Sequence, residues 1–304
     1  MFLLNSNSKP RLNTRNLFLL VALLAISLPA FAQPAQPWFF AVLSDPQFGM
    51  YAKDQNFAQE TANFEFAIAN LNRLHPRFVV ICGDLVNRSG DSAEIAEYKR
   101  ILHKLDPSIP VYSVAGNHDV GNLPTPATLG AFRASIGRDY YTFTQSGILG
   151  IVLDSNLIRS PRNAPAAAKQ QEDWLKKTLA NAGKNPNLQI VVFQHIPYFV
   201  QSPTEAEQYF NIPQPARSRY LDLLKNAGVR YIFAGHTHKS SIGVDGPLTE
   251  IVTGAVGMPL GGSTSGFRIV KVSGRTLDST WLCLGGIPNQ IDPQKAPSTP
   301  CLQQ

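Results

Sequence analysis

Five short polar blocks interrupt this chain, and each follows an apolar run of the length and composition typical of a β-strand. The leading polar residues of the blocks are Asp45, Asp84, Asn117, His195 and His236. Open α/β sheets bind their ligands beyond the carboxyl ends of the strands, where the loops begin. We therefore expect an α/β protein that gathers the five blocks in one crevice.

The apolar runs alternate with amphipathic segments. Strands are predicted at residues 38–43, 78–82, 111–115, 140–144, 149–154, 188–194, 229–234, 248–252, 267–272 and 277–282. Helices are predicted at residues 57–74, around 95–105, at 171–182 and at 218–227. The early strand–helix alternation predicts neighbouring strands in one buried sheet, whereas the lack of a predicted helix after Ala227 indicates more antiparallel sheet. Two mixed sheets packed face to face, with helices outside, accommodate this order.

The first 32 residues have the pattern of a secretory signal peptide. Its basic residues are Lys9, Arg11 and Arg15. The apolar stretch from Leu17 to Leu28 is short for a membrane span, and Ala30-Phe31-Ala32 offers the small residues of a cleavage site before Gln33. The prediction is an exported protein, periplasmic or secreted. An uncleaved N-terminal anchor is the alternative.

Cleavage changes the charge of the chain. The full sequence has 27 basic and 21 acidic residues, and loss of three basic residues leaves a net charge of +3. This balance is too mild for a nucleic-acid-binding surface, and no Lys/Arg stripe interleaved with aromatic residues is present. No other apolar run is long enough to cross a bilayer. We expect one domain at residues 33–284, a Pro/Gln-rich tail at 285–304, and no stable membrane insertion after cleavage.

Three cysteines are present. Cys82 lies in an apolar run and is predicted to be a buried thiol. Cys283 and Cys301 flank the tail, and export would permit a disulfide between them. Two free thiols are the alternative.

The polar blocks carry groups that bind divalent cations. They are Asp45, Gln47, Asp84, Asn117, His118, His195, His236 and His238. Four His, two Asp, one Asn and one Gln form a set suited to two divalent cations side by side. Asp84 is the natural bridging ligand because a carboxylate can offer oxygen to two cations. The two remaining histidines, His75 and His103, lie in or beside amphipathic helices and are expected to be solvated or to have their hydrogen bonds satisfied.

His118 and Asp119 suggest a different role. Asp119 could orient His118 and stabilise its charged form, so that His118 donates a proton to a departing oxygen. Asp119 could equally be a structural cap.

Together these blocks resemble those of the calcineurin-like metallophosphoesterase superfamily. The match covers nearly all of residues 38–282 in the family's order, and the Gly-Asn-His-Asp and Gly-His-Thr-His blocks are its most specific motifs. The resemblance implies a four-layer α/β/β/α sandwich, two divalent metals and hydrolysis of phosphate esters. It also implies attack by a metal-bridging hydroxide, with His118 near the leaving group.

The same resemblance implies how the ligands divide. One cation would take Asp45, the position of Gln47, Asp84 and His238. The other would take Asp84, Asn117, His195 and His236. Asn87 would orient a ligand rather than bind a cation.

Gln47 departs from the Asp-x-His pattern common in the family. Asp45-Pro46-Gln47-Phe48-Gly49 and the segment Phe193 to Pro197 are similar to a branch of calcineurin-like phosphoesterase domain-containing proteins. Vertebrate members of that branch are regarded as Ser/Thr protein phosphatases. Because the predicted location is outside the cytoplasm, only the phosphatase chemistry is carried over, not a cytosolic target.

The leading hypothesis is a phosphomonoesterase acting on a phosphorylated small molecule or phosphoprotein. A phosphodiesterase or nucleotidase on the same scaffold is the nearest alternative, and a non-catalytic metal-binding module is the second. Oxygen-rich ligation favours Mn²⁺, Mg²⁺ or Fe over two Zn²⁺. The aperiodic stretch between Pro197 and Arg217 is interpreted as a lid, because it begins beside His195. Oligomeric state is left open.

Overall fold

This computed structural model describes residues 36–295, which contain two β-sheets, seven α-helices and two short 3-10 helices. The strands are β1 (Trp38–Leu43), β2 (Val79–Ile81), β3 (Val111–Ser113), β4 (Tyr141–Gln145), β5 (Ile148–Val152), β6 (Gln189–Phe193), β7 (Tyr231–Ala234), β8 (Ser241–Asp245), β9 (Leu248–Val252), β10 (Gly266–Ser273) and β11 (Thr276–Cys283). The helices are α1 (Ala58–Leu74), α2 (Ser92–Leu102), α3 (Asn117–Val120), α4 (Pro126–Ser135), α5 (Ser155–Arg159), α6 (Pro165–Ala182) and α7 (Ala216–Asn226).

Both sheets mix parallel and antiparallel strands. The first has the order β11-β10-β1-β2-β3, in which β1, β2 and β3 are parallel and β10 and β11 are antiparallel to their neighbours. The second has the order β4-β5-β6-β7-β9-β8, with four parallel central strands and an antiparallel strand at each edge. Parallel strands place their carboxyl ends on the same side, so each sheet presents a row of loops there.

The alternation of side chains along each strand creates three apolar layers. On β1, Phe40 and Val42 face the layer between the sheets, while Ala41 and Leu43 face helices α1 and α2. On β6, Val191 faces the central layer and Val192 faces α6 and α7. The layers run helix, sheet, sheet, helix. The predicted four-layer α/β/β/α fold is confirmed.

Most predicted elements are present with ends shifted by a few residues, but the helix predicted from Gln171 begins at Pro165. The prediction missed strand β8 and helices α3, α4 and α5. Helix α4 has a readable start: Thr125 accepts the backbone N–H of Thr128 in a capping box, and Pro126 occupies the first turn. The second half is also less antiparallel than expected, because β9 joins β7 in parallel.

The predicted signal peptide, residues 1–32, and Cys301 lie outside the described residues, so their predictions stay predictions. Cys82 is fully buried, as predicted. Within residues 36–295, no helix is long and apolar enough to cross a bilayer. The first part of the predicted tail contacts the body, because Ile287 and Ile291 pack beside the helix α1 layer.

Candidate metal centre

The five polar blocks lie at the carboxyl ends of parallel strands in both sheets. Asp45, Asp84 and Asn117 follow β1, β2 and β3 of the first sheet, and His195 and His236 follow β6 and β7 of the second. The structure brings the two rows of loops together.

Two groups of three side chains have ligand atoms in mutual reach. The ligand atoms of Asp84, His195 and His236 lie within 4.8 Å of one another, as do those of Asp45, Asp84 and His238. Asp84 belongs to both groups. Such an arrangement suits two adjacent cations that share one carboxylate.

Asn117 and Gln47 add amide groups beside these clusters. The Oδ1 of Asn117 lies 3.0 Å from His195 Nε2. The Nε2 of Gln47 donates to Oδ1 of Asn87 at 3.0 Å, which fixes the amide orientation. Its Oε1 is buried without a hydrogen-bond partner, and so is Oδ1 of Asp45, which lies 3.3 Å from His238 Nε2. Burying an unpaired oxygen is costly, and a bound cation would remove that cost.

The backbone at the candidate ligands is held in an unfavourable region. Nine described residues other than glycine have positive φ, and five of them are candidate ligands. These are Asp45 (52°), Gln47 (39°), Asp84 (48°), His236 (71°) and His238 (55°). Such conformations cost on the order of 1–3 kcal/mol each and cluster at functional sites. The strain therefore points to the same residues as the side-chain geometry.

Two glycines allow the loops to approach closely. A Cβ on Gly116 would lie 2.1 Å from the backbone nitrogen and Oδ1 of Asp84. A Cβ on Gly83 would lie 2.6 Å from Nδ1 of His195. Any side chain at these positions would displace a candidate ligand.

Backbone carbonyls hold one ring nitrogen of each candidate histidine ligand. Because a carbonyl only accepts, the bonded nitrogen carries the proton and the other keeps its lone pair for a cation. The pairs are His195 Nδ1 with Cys82 O at 2.8 Å, His238 Nδ1 with Met258 O at 2.5 Å, and His236 Nε2 with Tyr209 O at 3.1 Å. With a cation bound at the second nitrogen, all three rings would thus be held in one tautomer.

Burial and mutual contacts shift the pKa values within the cluster. Burial would raise the pKa of Asp84, but neighbouring His195 outweighs it and holds that pKa well below its usual range. Burial would lower the pKa of His195, but the Asp84 carboxylate, 3.1 Å from Nε2, raises it to about 9. Burial and His195 lower the pKa of His236 to about 3. Without a cation, Asp84 and His195 form an ion pair.

His118 and Asp119 have separate partners. His118 is partly buried, and its Nδ1 bonds the backbone carbonyl of Asn87 at 2.7 Å. Asp119 accepts the backbone N–H groups of Gly116, Leu85 and Val86. Among the described residues no hydrogen bond joins the Asp119 carboxylate to His118, and this carboxylate instead caps the loops. The alternative of a structural cap fits these bonds.

Residues 197–217, here called the strap, lie against the site through Tyr209. The Tyr209 hydroxyl accepts from Asn117 Nδ2 at 3.2 Å, and its ring centroid lies 4.9 Å from that of His236. The guanidinium of Arg159 lies 5.1 Å from the Tyr209 ring centroid. Neither Tyr209 nor Arg159 is among the site residues predicted from the sequence, and no motif marks Arg159.

Buried polar groups anchor the strap. Glu250 accepts the N–H groups of Tyr198 and Phe199 at 2.8 and 3.0 Å. Arg217, fully buried, donates to the backbone carbonyls of the strap itself. These bonds give the aperiodic segment a defined conformation, which its sequence alone did not predict.

Curated relatives are similar over most of the chain. The serine/threonine-protein phosphatase CPPED1 of Bos taurus is 35% identical over 263 residues, which covers 82% of this chain and 84% of that protein. The proteins of the same name from Danio rerio and Homo sapiens are 35% and 34% identical, and each alignment covers 78% of this chain and at least 81% of the relative.

Solved structures share the fold at low identity. A structure of GAP50, described as the anchor in the inner membrane complex of Plasmodium, has a TM-score of 0.61 at 16% identity and covers 82% of this chain and 85% of that one. A dimetal phosphatase from Danio rerio has a TM-score of 0.55 at 17% identity, with 81% and 99% covered. The family model described as calcineurin-like phosphoesterase matches residues 40–240. From this match and the curated relatives, the chain belongs to the calcineurin-like phosphoesterase family.

Proposed function

We propose that this phosphoesterase hydrolyses phosphomonoesters and acts as a phosphatase on small phosphorylated molecules or phosphoproteins. The family makes the chain a phosphoric ester hydrolase, and its curated relatives are named serine/threonine-protein phosphatases. The observation that carries the proposal is the pair of side-chain groups that share Asp84.

The residues present fit two divalent cations. The donor set is suitable: it consists of buried acceptor oxygens of Asp45 and Gln47, the shared carboxylate of Asp84, and three histidines whose second ring nitrogen faces the cluster. We assign one cation to Asp45, Gln47, Asp84 and His238, and the other to Asp84, Asn117, His195 and His236. Two bound cations would stabilise the charge on the phosphoryl group and activate water.

His118 is the proposed proton donor to the leaving group. Its Nδ1 is held by Asn87, and among the described residues Nε2 has no hydrogen-bond partner, so Nε2 is free to reach a substrate. His118 would act in its doubly protonated form: as the bond between phosphorus and the leaving oxygen breaks, the Nε2 proton passes to that oxygen, while Nδ1 keeps its proton on the Asn87 carbonyl. The backbone N–H of His118 donates to Asp84 Oδ1 at 2.8 Å, which ties the position of the acid to the shared carboxylate.

Arg159 favours a monoester over a diester. Its guanidinium lies over the Tyr209 ring and contributes to the lowered pKa of His236. The positive charge of Arg159 therefore interacts with groups at the candidate metal centre. A phosphomonoester carries close to two negative charges at neutral pH, whereas a diester carries one. An added cation therefore stabilises the bound monoester more.

Hydrolysis of p-nitrophenyl phosphate and of its bis-ester tests the proposal. Protein stripped with a chelator is reloaded with Mn²⁺, Mg²⁺, Fe²⁺ or Zn²⁺, and kcat/KM is measured for both esters and for a phosphoserine peptide. We expect higher efficiency on the monoester. Higher efficiency on the bis-ester would instead establish a phosphodiesterase, and two bound ions without hydrolysis of any ester would establish a metal-binding module.

We also propose export, supported by the signal-like pattern of residues 1–32. Fractionation of a bacterial expression host, followed by N-terminal sequencing, provides the test. The expected product is outside the cytoplasm and begins at Gln33. An intact N-terminus in the cytoplasmic fraction would contradict the proposal.

A further inference from the structure

Tyr209 is the one residue of the strap, within the described chain, that bonds two candidate ligands of the same cation. Its hydroxyl bonds Asn117 and its backbone carbonyl bonds His236. Both ligands belong to the group completed by Asp84 and His195. Tyr209 itself carries no group in that set.

The hydroxyl decides which end of the Asn117 amide faces the cluster. Asn117 Nδ2 donates to the Tyr209 hydroxyl at 3.2 Å, and this leaves Oδ1 3.0 Å from His195 Nε2. Only the carbonyl oxygen of an amide binds a cation well, since its nitrogen has no free lone pair. Rotation of the amide by half a turn would present that nitrogen instead.

The carbonyl decides which nitrogen of His236 is free. His236 Nε2 donates to Tyr209 O at 3.1 Å, so Nδ1 keeps the lone pair. The Tyr209 and Phe210 rings lie 4.9 and 5.7 Å from the His236 ring between centroids, which limits its rotation.

The strap is able to hold this position because it is anchored away from the site. Asn211 donates to Glu205 at 2.7 Å, and Glu205 accepts the N–H groups of Val200, Gln201 and Ser202. Arg217 adds bonds to the carbonyls of Pro203, Glu205 and Ile212. Tyr209 therefore extends from a braced segment rather than from a free loop.

We propose that Tyr209 is a positioning residue that sets Asn117 and His236 for one of the two cations. The inference rests on the proposed function, in which these residues bind that cation. A role in packing alone would require the ring but not the hydroxyl, and would not distinguish one cation from the other.

Isothermal titration calorimetry, in which Mn²⁺ is added to the metal-free Tyr209→Phe variant, tests the inference. We expect one of the two binding steps to weaken by roughly 10–100-fold, the usual loss when a group that orients a ligand is removed. The other step should keep its affinity. Asn117→Ala identifies the step concerned, because it removes the ligand on which the hydroxyl acts.

Tyr198→Phe is the matched control, because the Tyr198 hydroxyl lies in the same strap, is buried, and has no hydrogen-bond partner. Its two affinities should equal those of the unmodified protein. The inference is overturned if Tyr209→Phe binds both ions normally, or if both steps weaken equally. The proposed function fails separately, if the unmodified protein binds two ions and hydrolyses no phosphate ester.

Discussion

His118 and Asp119 are adjacent in the chain, yet their side chains have different surroundings. His118 is partly exposed and has a free ring nitrogen, whereas Asp119 is 5% exposed and accepts three backbone N–H groups. His118 is suited to proton transfer, whereas Asp119 is suited to holding the loops together. Substitutions should separate the two roles.

His118→Ala is expected to lower kcat by about 10²–10⁴-fold, the usual contribution of a positioned proton donor. The metal content should stay near two per chain, because His118 belongs to neither ligand group. Steady-state kinetics on p-nitrophenyl phosphate and metal analysis by mass spectrometry measure these effects. His103→Ala, exposed at the end of α2, is the control. Unchanged turnover in His118→Ala would overturn the assigned role.

Asp119→Ala is expected to lower the free energy of unfolding by about 3 kcal/mol or more, since it leaves three buried backbone N–H groups without an acceptor, each at a cost of about 1–3 kcal/mol. Urea unfolding measures the change. Asp91→Ala removes an N-cap that also accepts two backbone N–H groups, but at a more exposed position, and should cost only about 1 kcal/mol. Equal losses in the two variants would contradict the capping role.

The residue types and strand-end positions of the candidate ligands could be predicted, because both are visible in the sequence. The bonds that orient them could not. Cys82, Met258 and Tyr209 each hold a histidine through a backbone carbonyl, which every residue type possesses. No sequence pattern marks such a contact.

At the scale of elements, strand β8 shows why a pattern can mislead. Its apolar residues Ile242 and Val244 are 54% and 59% exposed, while Gly243 lies inside. A Cβ on Gly243 would lie 2.7 Å from the Phe199 ring, so the strap leaves room only for glycine there. Strand β8 therefore exposes its apolar side chains and buries its glycine, because Phe199 of the strap occupies the space on the inner face. Helix α6 begins six residues before its predicted start at Gln171, because its first turns are alanine-rich and lack the stripe of large apolar residues that the prediction relies on.

Glu250 makes the stability of the fold depend on pH. Burial raises its pKa to about 8, against an ordinary value of 4.5, although the N–H groups of Phe199 and Tyr198 oppose the shift. The folded chain therefore holds this proton more tightly than the unfolded chain. Its contribution to stability is complete below pH 4.5 and is lost as pH rises through about 8.

Chemical unfolding at pH 5 and pH 8, in the presence of a chelator, measures this dependence. The free energy of unfolding should fall with rising pH by about 1.4 kcal/mol for each unit of pKa difference that is crossed. Glu250→Gln should fall less between the same two pH values, because an amide does not titrate. An identical decrease in both proteins would refute the assignment to Glu250.

At the scale of the whole molecule, the backbone strain and the buried acceptors of the candidate metal centre lower the stability of the fold, and packing elsewhere must offset this cost. Five candidate ligands have positive φ, and one acceptor oxygen each of Asp45 and Gln47 is buried without a hydrogen-bond partner. Cations that bind only the folded state would offset part of this cost.

Removal of metal is therefore expected to lower Tm, and added Mn²⁺ should restore it. Binding at one hundred times Kd contributes about 2.7 kcal/mol for one site. Differential scanning calorimetry with a chelator, and then with Mn²⁺, provides the measurement. Asp84→Asn should abolish most of the Mn²⁺-dependent increase, since this carboxylate belongs to both ligand groups. A Tm insensitive to Mn²⁺ in the unmodified protein would contradict the proposed centre.

The two ligand groups each draw on both sheets. Asp84 comes from the first sheet in both, and His195, His236 and His238 come from the second. A chain with only one sheet assembled would offer an incomplete set at either position. Full cation binding would thus require both sheets to be docked, and the bound cations would in turn stabilise the docked state.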